Sequence, residues 1–245
     1  MKLNNRSKKL RTDIINLSKA NGGYHYGGSF SCVEILISIF DHQINLENSD
    51  RFILSKGHGC WGYYVLLREL GFNPLLEGHP HLDLSNNVHW TTGSEGHGLP
   101  AGFGMAFAKK LQKMDSNVFV LMGDGELQEG TTWETLLLAK KHSTSNLKVV
   151  VDFNKIQGSG FVEDILPVSS IGNVAREIGW DVCDVDGHNI DELNKAFSQA
   201  SNDPSLIIAH TVKGKGVSFM ENEPSWHANW PAPEYEKKAR EELEI

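Results

Sequence analysis

Val118-Phe119-Val120-Leu121-Met122-Gly123-Asp124-Gly125 is the stretch on which the reading of this chain turns. Five apolar residues in a row show no alternation, so the strand they predict is covered on both faces. Gly123 and Gly125 make a turn of its C-terminal end. Beyond the turn, Thr131 to Lys141 reads as a helix and Leu147 to Phe153 as a second apolar strand, closed by Asn154. The alternation continues with a helix from Ile171 to Ile178, a strand from Val182 to Val185, a helix from Ile190 to Ala200 and a strand from Leu206 to His210. Such a pattern predicts an α/β fold in three layers, a parallel sheet with helices on both faces. Ligands of open α/β sheets sit at the C-terminal ends of strands. Asp124 and Asn154 are therefore expected to bring a carboxylate and an amide to one place, as hard oxygen ligands for Mg²⁺ or Ca²⁺. The glycines let a diphosphate approach the backbone, and the helix N-terminus that follows favours an anion. Taken alone, Gly-Asp-Gly is equally an Asx turn between strand and helix.

Upstream, a first helix is expected from Ser7 to Lys19, with Leu10, Ile14 and Leu17 on one face and Gly22-Gly23 at its end. Ser31-Cys32-Val33-Glu34 has the form of a capping box ahead of an apolar run through Phe40. Arg51 to Ser55 reads as a short strand, Trp61 to Leu70 as a helix stopped by Gly71, and Pro233 to Ile245 as a charged surface helix. Trp61, Phe103, Trp133 and Trp180 are expected in the core or at an interface. No linker or repeat divides the chain, so residues 1–245 are expected to form a single domain.

Composition excludes several classes. A formal net charge of -8 argues against nucleic acid and anionic membranes as partners. The basic residues Lys2, Arg6, Lys8, Lys9 and Arg11 are read as the solvated face of the first helix. Cys32, Cys60 and Cys183 are widely spaced with no CxxC, which points to a reducing compartment. The opening MKLNNRSKKL lacks the apolar core of a signal peptide, and no stretch approaches the ~20 apolar residues of a membrane span. A cytoplasmic protein is expected.

Among the histidines, His42, His142, His188 and His210 carry no local signal and are read as structural. His25, His58, His79, His97 and His227 stand beside glycine or proline in predicted loops, or in the closing segment, where function concentrates. Imidazole can donate, accept and exchange protons near neutral pH, as sugar chemistry requires. His79-Pro80-His81-Leu82-Asp83 has a zinc-ligand spacing, but Leu84 stands where such sites carry a histidine and no strong strand precedes it.

Several blocks together resemble transketolase. Gly123-Asp124-Gly125 with Asn154 is similar to the thiamine diphosphate motif, and Glu126-Leu127-Gln128-Glu129-Gly130 with Glu134 and Ala139 is similar to transketolase in particular. The resemblance extends through 22–29, 50–59, Gly78-His79-Pro80, 91–98, Lys213-Gly214-Lys215-Gly216 and Trp226-His227, in the family's order. It covers only the domain that binds the cofactor diphosphate, a fold with a parallel sheet between helices. It implies thiamine diphosphate as cofactor and Asp124, Asn154 and the Ile156 carbonyl as ligands of Mg²⁺ or Ca²⁺. His58, Gly93, Gly96, Gly123, Asp124, Gly125, Glu129, Asn154 and His227 would bind the cofactor. His25, His79, His97 and His227 would handle substrate hydroxyls and protons. Glu129 and Glu134 fall on interface glutamates. The implied activity is transfer of a two-carbon ketol unit from a ketose, usually phosphorylated, to an aldose. The pyrimidine-binding domain is absent, so a partner chain carrying it is expected, in a heterotetramer of two chains of each kind. Of a natural split and a truncation, the charged ending favours the split. A 2-oxoacid dehydrogenase α-like chain, or one that kept the fold without catalysis, are the alternatives. One departure stands out: Gly93-Ser94-Glu95-Gly96 places a carboxylate where the family has a leucine packed against the cofactor.

Overall fold

The computed structural model describes residues 3–229 and 232–244. In chain order the helices are α1 (Asn5–Ala20), α2 (Tyr26–Ser31), α3 (Val33–Ile37), α4 (Cys60–Glu69), α5 (Gly98–Leu111), α6 (Gly130–Lys141), α7 (Val162–Ile165), α8 (Ile171–Ile178), α9 (Ile190–Phe197) and α10 (Pro233–Glu242). The strands are β1 (Arg51–Leu54), β2 (Val118–Gly123), β3 (Leu147–Phe153), β4 (Ile156–Gln157), β5 (Gly160–Phe161), β6 (Asp181–Asp186) and β7 (Ser205–His210). Five of them form one sheet in the order β1-β2-β3-β7-β6, every neighbouring pair parallel. β4 and β5 make a small antiparallel ladder after β3.

The continuous apolar runs are explained by two cores, one on each face. Along β2, Val118, Val120 and Met122 face a core shared with Leu99 and Ala106 of α5, Leu136 of α6 and Ala175 of α8. Phe119 and Leu121 face the other, with Leu10 and Ile14 of α1, Phe30 of α2, Tyr64 of α4 and Phe197 of α9. Each such side chain contributes about 1.5–3 kcal/mol when fully removed from water. This is the three-layer α/β fold that the alternation predicts.

The differences from the sequence expectation have local causes. α1 starts at Asn5, because Asn4 Oδ1 accepts from the Ser7 amide at 2.7 Å and caps the helix earlier. Ser31 and Glu34 do not form a capping box. Ser31 ends α2 and donates its hydroxyl to Asp152 at 2.5 Å, while Glu34 accepts from Arg11 at 2.7 and 2.9 Å. Both side chains are buried, where tertiary partners outcompete a cap. The apolar run after it ends in a π-helical turn over Ser38–Gln43. α5 escapes a sequence reading because Gly98, Gly102 and Gly104 lower its propensity. Gly102 is there for packing: a Cβ at that position would overlap Val120. Lys2 and Ile245, read as parts of the first and last helices, lie outside the described residues. Among the described residues, no helix is long and apolar enough to cross a membrane.

Candidate active site

Loops leave the C-terminal ends of β1, β2, β3 and β7 and meet around one cavity of about 300 Å³. After β2 comes Asp124, buried, whose Oδ1 accepts from the Gly125 amide at 2.9 Å and whose Oδ2 accepts from the Lys155 amide. After β3 comes Asn154, whose Oδ1 accepts from the Ile156 amide at 3.1 Å while its Nδ2 donates to Asp152 at 3.1 Å. Asp152 thus fixes which end of the amide is the oxygen. Lys155, between Asn154 and Ile156, holds φ 70, a left-handed conformation rare for a residue with a side chain. Asp124, Asn154 and Ile156 all line the cavity.

Their chemistry fits a hard cation. A carboxylate, an amide oxygen and a backbone carbonyl are the donors that Mg²⁺ and Ca²⁺ take, with no thiolate or imidazole among them. Burial, and then repulsion from Asp152, push the Asp124 carboxyl up to about 7, and a divalent cation is the partner that reverses such a rise. The Ile156 carbonyl accepts from Lys213 Nζ at 2.8 Å, so this position already attracts positive charge. The zinc spacing does not assemble. His81 pairs with Glu77 at 2.9 Å on the surface, and Asp83 caps the short turn at Leu84–Asn86. No cluster of three or more His, Cys, Asp or Glu suited to a metal exists among the described residues.

Beneath the cavity lies a buried ion pair that the sequence reading missed. Lys56, two residues past β1, pairs with Asp152 of β3 and donates to the Gly28 carbonyl at 2.8 Å. Asp152 also accepts from the hydroxyls of Ser31 and Thr211. Burial would raise the Asp152 carboxyl, but Lys56 and the donors around it hold it below the usual carboxylate value. Lys213 and Glu126 were missed as well. Burial, and then Lys56, lower Lys213 to about 8. Glu126 accepts from Ser55 at 2.5 Å and from the amides of Gly96 and Gly123 at 2.9 and 2.8 Å, tying the 93–96 loop to the Gly-Asp-Gly turn. Nothing local marks them, because each acts through a partner distant in sequence; the one general signal is that a charged group buried in the sheet has to have a partner.

Four imidazoles gather above this base. His25 is ringed by His58, His79 and His227, with ring centroids 5.7, 6.0 and 5.4 Å away. His25 holds φ 64, and its Nδ1 is buried without a hydrogen-bond partner. Strain and an unmet polar atom in one residue mark a functional position. Burial, then His79 and Lys213, lower His25 to about 4, and burial with Lys213 lowers His227 to about 2. Burial with Lys56 also lowers His58. All three are neutral imidazoles at physiological pH. Gly28 admits His58, since a Cβ there would lie 2.7 Å from the ring. His97 stands apart: it is exposed, precedes α5 as its N-cap, and its Nδ1 lies 3.0 Å from the Glu95 carbonyl. Gly93 packs beside His79, and Gly96 beside Glu129. Glu129 and Glu134 are exposed, Glu129 on the cavity rim and Glu134 on α6. Glu95 turns to the cavity, with Oε1 3.3 Å from His58 Nδ1.

A larger hollow of about 490 Å³ lies between α1, α3 and the loop before α9. Arg6 and Asp41 there are paired with each other, as are Glu34 and His188, and of the loops that form the smaller cavity only the one after β7 reaches it, through Lys215. The smaller cavity is the site.

Comparison with known proteins agrees with this geometry. The family described as transketolase, thiamine diphosphate binding domain, matches residues 2–242. The chain is similar to one of the subunits of the apulose-4-phosphate transketolase of Actinobacillus succinogenes, at 36% identity over 98% of this chain and 95% of that protein. It is similar to a subunit of 6-deoxy-6-sulfo-D-fructose transketolase of Clostridium sp., at 34% identity over 90% of this chain and 88% of that one. Among solved structures, the transketolase of Campylobacter jejuni superposes with a TM-score of 0.83 at 30% identity, covering 98% of this chain but 42% of its own.

Proposed function

We infer function from one premise: the chain belongs to the transketolase family, in its thiamine diphosphate binding domain. We propose that residues 1–245 form a single such domain and one subunit of a split transketolase. That enzyme moves a two-carbon ketol unit from a ketose, phosphorylated or bearing another anionic group, to an aldose. The convergence of the Asp124, Asn154 and Ile156 oxygens with four neutral imidazoles at the ends of parallel strands carries this reading. The similar apulose-4-phosphate transketolase chains support the split, since each is named as one part of an assembly. The partner would carry the pyrimidine-binding domain, in a heterotetramer of two chains of each kind. Buried free thiols at Cys32 and Cys60 fit a cytoplasmic setting.

Thiamine diphosphate, when bound, supplies the carbanion chemistry of carbon–carbon cleavage and formation. Asp124, Asn154 and the Ile156 carbonyl would hold Mg²⁺ or Ca²⁺. Gly123, Gly125, Gly93, Gly96, His58, Glu129 and His227 would surround the cofactor. Lys213 and Lys56 place positive charge beneath the anionic part. Protons fall to the imidazoles. Lys213 Nζ lies 2.8 Å from His227 Nδ1, so that nitrogen is an acceptor already in use and Nε2 carries the hydrogen. His227 is therefore suited to donate to a substrate oxygen. His25, neutral and with its Nδ1 free of a hydrogen-bond partner, is suited to take the donor hydroxyl proton. His79 lies on the far side of His25 and completes the wall facing the sugar, and His97 is suited to reach substrate at the rim. The test is reconstitution with the pyrimidine-domain chain, thiamine diphosphate and Mg²⁺, followed by ketol transfer from ketose phosphates. Turnover that His25→Ala reduces by about 100-fold or more agrees with general-base work. Turnover unchanged in that variant removes His25 from the chemistry.

A further inference from the structure

The first two residues of α4 fasten two loops that each carry an imidazole. Trp61 Nε1 donates to the Tyr24 carbonyl at 2.9 Å, next to His25. Cys60 Sγ donates to the Gly78 carbonyl at 3.3 Å, next to His79. The phenol of Tyr24 lies between these two loops. Its ring is tilted against the His25 imidazole with centroids 4.3 Å apart, nearer to His25 than any of the other three histidine rings. Its far end lies over Gly78: a Cβ built there would be 2.8 Å from the Tyr24 hydroxyl and 3.3 Å from Cζ. Gly78 does not hold a positive φ, so what the glycine gives is room for the phenol and not backbone freedom. Tyr24 is nevertheless 39% exposed, and its hydroxyl makes no hydrogen bond among the described residues. A lone exposed ring means little by itself. A ring held at both ends beside two imidazoles of the site, with its polar tip free, is a preorganised contact. It offers an apolar face to C–H groups and one donor and acceptor to an oxygen, at the cost of few torsions.

We propose that Tyr24 is a specificity-determining residue of the sugar site, its ring packed on the carbon chain of the substrate beside His25 and its hydroxyl bonded to one substrate hydroxyl. A polyhydroxylated chain presents both kinds of group at once, C–H bonds and oxygens. Tyr24 thereby adds to the imidazole wall a contact that moves no proton of the reaction. Such a contact is made in the ground state and the transition state alike, so its loss raises KM and leaves kcat nearly unchanged. The identity of the substrate as a ketose rests on the function proposed above.

Tyr24→Phe tests this in the reconstituted complex, because it removes the hydroxyl and keeps the ring against His25. With fructose 6-phosphate as donor, KM is expected to rise about fivefold with kcat changed less than about twofold, the loss of one hydrogen bond. Calorimetry with glucitol 6-phosphate, which has no carbonyl to react, is expected to show the same fivefold loss of affinity. Tyr24→Gly, which removes the ring as well, is expected to raise KM at least about tenfold. An unchanged KM and an unchanged glucitol 6-phosphate affinity in Tyr24→Phe overturn the proposal. A loss confined to kcat also overturns it, since that marks a support for His25 and not a contact with substrate. So does weaker assembly with the partner chain at unchanged KM, which makes Tyr24 an interface residue. A wild-type complex without ketol transfer overturns the function proposed above. The glucitol 6-phosphate affinities of wild type and Tyr24→Phe decide the role of Tyr24 without turnover, and a wild type that binds neither sugar overturns both.

Discussion

At the scale of single residues, the site is a set of polar groups taken out of water and made to satisfy one another. In the proposed function, Asp124 and Asn154 would supply oxygens to a divalent cation. Asp124→Asn and Asn154→Ala are each expected to weaken Mg²⁺-dependent thiamine diphosphate binding by about 100-fold, the loss of a charge-assisted contact. Calorimetry on the assembled enzyme checks this, and unchanged affinity in both variants places the metal elsewhere. Lys213 makes a prediction without any ligand. Burial, and then Lys56, lower it from 10.5 to about 8. Between those values the unfolded chain binds a proton that the folded chain has released, so stability rises as pH increases through that window. The gain is on the order of 3 kcal/mol at most, and Lys213→Met should flatten it. Denaturant titrations of the ligand-free chain at pH 7.5 and 10 measure the difference; equal slopes with pH in both proteins would refute it. Asp124, Asn154 and the histidines were legible because they sit beside glycines or at the ends of apolar runs. Lys56, Asp152, Lys213 and Glu126 were not, because their meaning is a partner far away in sequence. Lys56 and Asp152 are joined only when β1, β2 and β3 lie side by side.

At the scale of elements, the sheet was legible and the N-terminal helices less so, for one physical reason. The buried strand β2 announces itself in five consecutive apolar residues, and β3 and α8 have the bounds that the pattern predicts. The segment around α2 and α3 instead spends its polar residues on tertiary contacts, which no local rule can see. Arg11 of α1 illustrates this. Its guanidinium donates to Glu34 of α3, to the Phe30 carbonyl at 2.9 Å and to the Lys215 carbonyl at 2.7 Å. His188, before α9, bridges Glu34 at 2.9 Å to the Val212 amide at 2.9 Å. The network therefore fastens the loop that presents Lys213 to α1 and α3. Burial opposes the Glu34 charge, but Arg11 and His188 outweigh it and hold the carboxyl down to about 2. A depressed carboxyl contributes stability above its unfolded value, and that contribution is lost as pH falls from about 4.5 toward 2. Glu34→Gln is expected to cost about 3 kcal/mol at neutral pH, because it leaves Arg11 buried without its counter-charge. It should also shallow the acid limb of the stability curve. Chemical denaturation from pH 7 to 3 reads both, and a variant as stable as the wild type at pH 7 would show that the pair is not what holds these elements.

At the scale of the whole molecule, the fold leaves a face that this chain does not cover. α5 and α6 lie side by side, with the Phe107 ring of α5 tilted against His142, just past α6, at 4.4 Å. Outward from them point Leu111, Leu137 and Leu138, which are 68%, 60% and 44% exposed. Scattered exposed leucines mean little, but a group on two packed helices marks an interaction surface. This face is continuous with the site. Glu129, on the cavity rim, leads into α6, and Glu134 follows one and a half turns later. A partner seated on α5 and α6 would therefore bury the leucines, desolvate both glutamates and close the cavity at Glu129. The chain spans 42% of the length of a solved transketolase, and in the split enzyme proposed above the groups that act on the other end of the cofactor would come from that partner. Two outcomes follow. The purified chain, given thiamine diphosphate, Mg²⁺ and a ketose phosphate, should show no ketol transfer. On adding the pyrimidine-domain chain, activity should appear together with slowed hydrogen exchange across Gly130–Lys141. Leu137→Glu should weaken the assembly by at least about tenfold, since a charge would be buried where an apolar side chain fits, while its own melting temperature in isolation stays within a few degrees. Robust turnover by the isolated chain would contradict the need for a partner. Full activity of Leu137→Glu at limiting partner would show that the partner docks on a different face.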